Sequence, residues 1–262
     1  MNIVVCIKQV PDTTEVKLDP VKGTLIREGV SSIINPDDKA GIEAALRIKE
    51  QVGGTVALVS MGPAQADVAL REGLAMGADK AILISDRAFG GADTWATSST
   101  IAAALKKLDY DLIITGRQAI DGDTAQVGPQ IAEHLGLPQV SYAEEIQAFQ
   151  DKLIIKRQYE DRYHMLEVKT PCLITALAEL NIPRYMSVQG IFDAYREKEV
   201  ITWTLADLQD TLDQANIGLA GSPTRVKKSF TKPLKASGTV YNVEADEAVD
   251  LIITKLDERH LI

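Results

Sequence analysis

Cysteine, histidine and clustered base are all scarce in this chain. Among its 262 residues there are two cysteines and three histidines. No C-x-x-C pair occurs, and His134, His164 and His260 have no partner at ligand spacing, so nothing points to a metal site or a disulfide framework. Cys6 and Cys172 each sit in an apolar β-type run, VVCIK and PCLITA, where a free thiol is ordinarily buried. Base is outnumbered by acid, giving a net charge of −9. That argues against nucleic acid and anionic membrane surfaces as partners, since both call for clustered lysine and arginine. No apolar run approaches the roughly 20 residues of a membrane-spanning helix. The start MNIVVCIK has no signal-peptide layout, so a cytoplasmic protein without membrane insertion is expected. There is no G-x-G-x-x-G after the first apolar run and no G-x-x-x-x-G-K-[ST]. A Rossmann dehydrogenase and a P-loop NTPase are therefore disfavoured.

What is present is a regular alternation. Short Val- and Ile-rich runs at Ile3–Ile7, Thr55–Ser60, Ala81–Ser85 and Asp111–Thr115 read as strands buried on both faces of a parallel sheet. Helical stretches fit between them. Asn35-Pro36 is a start signal, and Gly53-Gly54 ends that helix. Pro63–Met76, Asp93–Leu108 and Gln126–Leu135 supply three more. The series predicts an α/β fold, a doubly wound, mostly parallel sheet of the adenine-nucleotide-binding type. Added β-hairpins are expected at 16–26 and at Leu153–Arg157 with Tyr163–Val168. From about residue 195 to 240 the pattern thins into an extended arm, followed by a last helix from about Glu244 to Arg259. Long segments with little structure of their own usually lie on a partner or carry function.

Ligands of open α/β sheets bind outside the carboxyl ends of the strands. Four loops leave such ends: KQVPDT (8–13), MGPAQ (61–65), DRAFGGADT (86–94) and GRQAIDGDTAQVGP (116–129). The last is a glycine turn opening a helix, a setting that favours anions, yet it carries Asp121 and Asp123 and no lysine. Asp123 with Gln126 matches a capping box, which alone explains one acid. Pro129 would fall too far inside a helix starting at Asp123, so a longer turn with the helix starting near Gln126 is the alternative. Its N–H groups would then suit a pyrophosphate, and an aspartate would suit ribose hydroxyls. Arg117 could pair with a phosphate or a flavin carbonyl, or with Asp121 or Asp123. Thr94, Thr97 and Ser98 form a small hydroxyl face at the start of the third helix. Thr224 reads as a turn residue or a contact to another subunit, and His134 as a favourable charge near a helix end.

The stretches VVCIKQVPDT, INPDD, SMGPAQ, AMGAD, GRQAIDGDTAQVGPQIAEHLGLPQV and NIPRY resemble the β subunit of electron transfer flavoproteins, over residues 1 to about 200. GGADT with DGDTAQVG resembles the bifurcating branch found in anaerobic bacteria. The resemblance implies a heterodimer with an α subunit. It further implies an FAD on this chain, where other members hold AMP. That FAD takes a hydride from NADH and sends one electron to ferredoxin or flavodoxin. The other electron passes through the α-subunit FAD to an acyl-CoA-type or lactate-type dehydrogenase. The isolated chain is expected to have no activity of its own. The cofactor contacts implied are Cys6, Asn35, Pro36, Asp37, Asp38 and Met61, and Asp121, Gly122, Asp123, Thr124, Ala125, Gln126, Val127, Gly128, Pro129, Gln130, Ile131 and Ala132. Asp93, Thr94 and Thr97 would be specific to the bifurcating branch. Val188 stands at the apolar anchor of the partner-recognition loop, with Asp193 and Tyr195 where basic residues are common. On this basis residues 1–195, with the hairpin at 150–170 and the partner loop at 184–195, form the nucleotide-binding domain. Residues 196–262 form the arm and C-terminal helix lying on the α subunit. The alternatives are a non-bifurcating electron-carrier subunit with AMP as a structural ligand, and an adenine-nucleotide-binding sensor module.

Overall fold

The computed structural model describes residues 1–12, 31–227 and 238–262. The hairpin expected at 16–26 lies outside the described residues. Two compact units are present, residues 1–227 and residues 228–262.

The first unit opens with β1 (Asn2–Cys6), β2 (Gln9–Pro11) and β3 (Ser32–Ile34), followed by α1 (Pro36–Val52). Then come β4 (Thr55–Met61), α2 (Asp67–Met76), β5 (Lys80–Ile84), α3 (Thr94–Leu105), β6 (Leu112–Gly116) and α4 (Val127–Leu135). The remainder is β7 (Gln139–Ala148), β8 (Lys152–Gln158), β9 (Tyr163–Lys169), β10 (Cys172–Ala176), α5 (Val188–Arg196), β11 (Val200–Trp203) and α6 (Leu205–Leu208). Nine strands make one sheet in the order β11-β5-β4-β1-β6-β10-β7-β8-β9, while β2 and β3 pair separately. The strands from β11 to β7 run parallel, and β7, β8 and β9 form an antiparallel meander. The expected α/β, doubly wound fold is therefore the one observed.

Alternation along the strands divides the core in two, because successive side chains leave opposite faces. Ile3, Val5 and Ile7 pack with Leu58, Ile114 and Ile174 under α1 and α2. Val4 and Cys6 pack with Val59, Ile82, Ile113 and Leu173 under α3 and α4. From β1 the chain winds through β4 to β5 on one side, then returns through α3 to β6 on the other. The winding reverses between β1 and β6, which are direct neighbours. That is the topological switch point at which such sheets open a crevice.

Four strands escaped the sequence pattern. β7 mixes polar and apolar residues because its outer half belongs to the two-faced meander. β2 and β3 span only three residues each. β11 falls in the expected arm, but Val200–Trp203 pairs with Ala81–Ile84 and forms the sheet edge. Residues 200–227 thus belong to the first unit. In the second unit, α7 (Ala245–Asp257) exposes Val249, Ile252 and Ile253. Among the described residues no helix is long and apolar enough to cross a membrane.

Ile114 lies fully buried in β6 between Val5 and Ile174. Ile114→Ala should lower unfolding stability in urea by about 2–5 kcal/mol. A loss under about 1 kcal/mol would contradict this placement of the core.

Candidate functional site

The loop after β1 and the loop after β6 flank the switch point, and the start of α1 joins them. Asn35 is the residue before Pro36 at the first helical position, yet its side chain caps nothing. Fully buried, it turns to the neighbouring loop: Nδ2 donates to Gln118 O at 2.8 Å, and Oδ1 accepts from Ile120 N at 3.1 Å. Asp38 accepts from Lys8 N at 2.7 Å and Gly116 N at 2.9 Å. Asp37 accepts from Ala178 N at 3.0 Å and Gln118 N at 3.4 Å. One short segment thereby ties together the carboxyl ends of β1, β6 and β10. Gly116 is required for this closeness, since a Cβ there would overlap the Asp38 carboxylate.

Removing these acids from water carries a cost. Burial pushes Asp38 up to about 7, although the N–H groups of Lys8 and Gly116 and the Asn35 side chain pull it down. Burial likewise raises Asp37, against the pull of the Arg117 guanidinium. Arg117 Nε lies 3.5 Å from Asp37 Oδ2, is buried, and has no hydrogen-bond partner among the described residues. Arg117 therefore pairs with Asp37, not with Asp121 or Asp123, because its chain neighbour Gln118 already lies against Asp37. Cys6 ends β1, and burial with the nearby Asp38 pushes its thiol to about 12. Met61 ends β4 and is half-buried.

The turn from 116 to 126 is long and open. Gln126 is the N-cap of α4, without a side-chain cap bond. The capping box expected from Asp123 is absent: Asp123 has φ 53°, and its carboxylate accepts from Gln118 Nε2 instead. Ala125 also has φ 53°, which for a non-glycine residue costs of order 1 kcal/mol. Among the described residues the backbone N–H groups of Val127 and Gly128 have no acceptor. Pro129 falls in the first turn, where its missing N–H costs nothing. Gly128 sits directly on the ends of β6 and β10; an added Cβ would overlap Thr115 Oγ1 and stand 2.9 Å from Thr175 Cγ2. The missing base comes from elsewhere in the chain: Lys8 Nζ lies 2.6 Å from Asp121 Oδ1.

The third helix is locked to the fourth. Thr94 Oγ1 donates to Gln126 Oε1 at 2.9 Å, Ser98 Oγ to Gln130 Oε1 at 3.2 Å, and Ser98 Oγ lies 3.1 Å from His134 Nε2. Burial and Lys106 hold His134 below its ordinary value, and its ring packs edge-on against Trp95. Asp93 caps α3 through Ala96 N at 3.0 Å. It also accepts from Thr224 N at 2.9 Å and Thr224 Oγ1 at 2.7 Å, so Thr224 is bonded within the chain. Burial opposes ionisation of Asp93, but these donors outweigh it and the carboxyl sits below its ordinary value.

The structure thus gathers Cys6, Asn35, Asp37, Asp38, the 121–128 turn and the starts of α3 and α4 at one end of the sheet. Thr97 lies half-buried in the first turn of α3. Ile131 and Ala132 are core residues under the sheet, and Val188 lies on α5, which packs on α2. Sequence reasoning missed Lys8, Gly116 and Gln118. The signal for Lys8 was available, as the first charged residue after the apolar run of β1.

The chemistry of this donor set fits a nucleotide. Two first-turn N–H groups can donate to a phosphate, carboxylates can accept from ribose hydroxyls, and small residues leave the backbone open. Among the described residues no group of His, Cys, Asp and Glu is arranged to hold a metal ion.

Residues 22–208 match the family described as "Electron transfer flavoprotein domain". A protein named "Electron transfer flavoprotein subunit beta" from Clostridium acetobutylicum is 61% identical over 262 residues, covering 100% of both chains. The "Caffeyl-CoA reductase-Etf complex subunit CarD" of Acetobacterium woodii is 54% identical over 265 residues, again covering 100% of both. The "Acryloyl-CoA reductase electron transfer subunit gamma" of Anaerotignum propionicum is 48% identical over 269 residues with the same coverage.

Asp38 ionises near 3.8 in water and near 7 in the fold. Its charged form is thus disfavoured by folding, and its contribution to stability should fall as pH rises from about 4 to 7. Asp38→Asn should flatten that slope in urea titrations, whatever it does to stability overall. An unchanged slope would place the titration elsewhere.

Proposed function

The chain belongs to the electron transfer flavoprotein family as a β-type subunit, and from that premise we propose that it binds FAD at the crevice between β1 and β6 and serves electron bifurcation. In this reading it works in a cytoplasmic heterodimer with an α subunit. Electrons enter from NADH and leave by two routes: to ferredoxin or flavodoxin, and through the α-subunit FAD to an acyl-CoA-type or lactate-type dehydrogenase. The names of two relatives, each tied to a CoA-ester reductase, support the acyl-CoA class.

The observation that carries the reading is the uncapped start of α4 at the switch point, with Val127 and Gly128 N–H groups lacking acceptors among the described residues. These N–H groups would hold the pyrophosphate, and Asp121 or Asp123 the ribose hydroxyls. Thr124, Ala125 and Pro129 would line the approach, with Gln130 held by Ser98 behind them. Asn35, Asp37 and Asp38 would act by holding the loops, and Cys6 and Met61 would form the floor. Thr94 and Thr97 present hydroxyls on α3 beside this turn. Bound FAD would supply two-electron acceptance from NADH and one-electron delivery onward. Val188, 87% exposed, would anchor the dehydrogenase. The described residues 196–227 and 238–262, with the exposed apolar side chains of α7, would lie on the α subunit.

AMP offers the same phosphate and ribose to the same groups, so the cofactor is settled by counting. The co-produced α/β pair should release two flavins on acid treatment, and NADH alone should bleach its flavin absorbance. One flavin with one AMP, unbleached by NADH, would establish the non-bifurcating carrier instead.

A further inference from the structure

The turn with acids where a phosphate site usually has a base gains that base from the end of β1. Lys8 is fixed on both sides of its backbone: its N–H donates to Asp38 at 2.7 Å, and its carbonyl accepts from Asn35 N at 2.9 Å. The side chain therefore starts from an anchored position at the switch point and reaches Asp121. The two ends of this ion pair differ: the Asp121 side chain is 5% exposed, and that of Lys8 is 43% exposed. A nearly buried carboxylate needs its cation, but an ammonium carries three donors. Among the described residues its side chain has one acceptor, Asp121. Space also remains beside it: the nearest atom to a Cβ built on Gly122 is Lys8 Nζ, 4.0 Å away. Gly122 thus leaves the ammonium uncovered on the side where the turn opens.

We propose that Lys8 is a ligand-binding residue of this site, its ammonium bridging the Asp121 carboxylate and a phosphate group of the bound adenine nucleotide. In a chain of net charge −9, a phosphate meeting Asp121 and Asp123 without compensation would be repelled. A lysine between carboxylate and phosphate removes that repulsion and adds a charge-assisted hydrogen bond. The placement explains why the turn itself needs no lysine.

This inference rests on the nucleotide reading above, and ADP is the probe that separates the two. Calorimetric titration of nucleotide-free full-length chain with ADP at low salt should show binding. Lys8→Met should weaken it about tenfold or more, with Lys8→Arg recovering most of the loss. Because Lys8→Met also takes a cation from Asp121, the decisive comparison is made without that carboxylate. Asp121→Asn supplies the reference affinity, and adding Lys8→Met to it should again cost about tenfold. Equal affinity of Asp121→Asn and the double variant would reduce Lys8 to a counter-ion of Asp121 and overturn the proposal, leaving the nucleotide site standing. A parent chain that binds no ADP would overturn both. Thermal melts within a few degrees of the parent, expected for the double variant, exclude unfolding as the cause.

Discussion

Two carboxylates and one carboxamide at the start of α1, nearly withdrawn from water, hold the carboxyl ends of three strands in one place. Asn35, Asp37 and Asp38 spend their polar atoms on backbone groups of Lys8, Gly116, Gln118, Ile120 and Ala178. A hydrogen bond to a charged group is worth about 1.5–3 kcal/mol, and leaving a buried acid unpaired costs more than the bond itself. The cluster is therefore costly to form in part and stable only when complete. That property makes it suited to fixing loops, which otherwise vary in position.

The rest of the site follows from this fixed point. Lys8 is placed by Asp38 and so can reach Asp121. The turn after β6 is held at Gly116, Gln118 and Ile120, which leaves residues 121–126 to span an open gap and α4 to start uncapped. Gly116 and Gly128 permit the close approaches at either end of that gap. The start of α3 is then set by α4 through Thr94 and Gln126. Geometry passes from α1 to the loops, from the loops to α4, and from α4 to α3.

Most of the fold was legible in the sequence because its buried parallel strands are continuous apolar runs, and its helices carry Pro starts and Gly stops. The strands that were not legible are those whose pairing is tertiary. β11 has no periodicity that separates it from a loop and becomes a strand only beside β5. At the site, residue types were readable but roles were not. Asn35 and Pro36 read correctly as a helix start, yet nothing local reveals that the Asn35 side chain serves a loop 83 residues away. Asp123 and Gln126 matched a capping box, and the box is absent because Asp123 adopts a left-handed conformation and bonds Gln118. The apparent lack of base in the turn was a property of the sequence segment alone, since Lys8 is distant in the chain and adjacent in space.

The turn after β6 depends on the α1 cluster for its position, and amide hydrogen exchange on Asn35→Ala tests that dependence. Losing both Asn35 bonds should speed exchange across residues 116–122 by about tenfold. Protection at Val5 and Leu58, inside β1 and β4, should persist. Unchanged exchange at 116–122 with the parent fold intact would show that the turn is fixed by something other than this cluster.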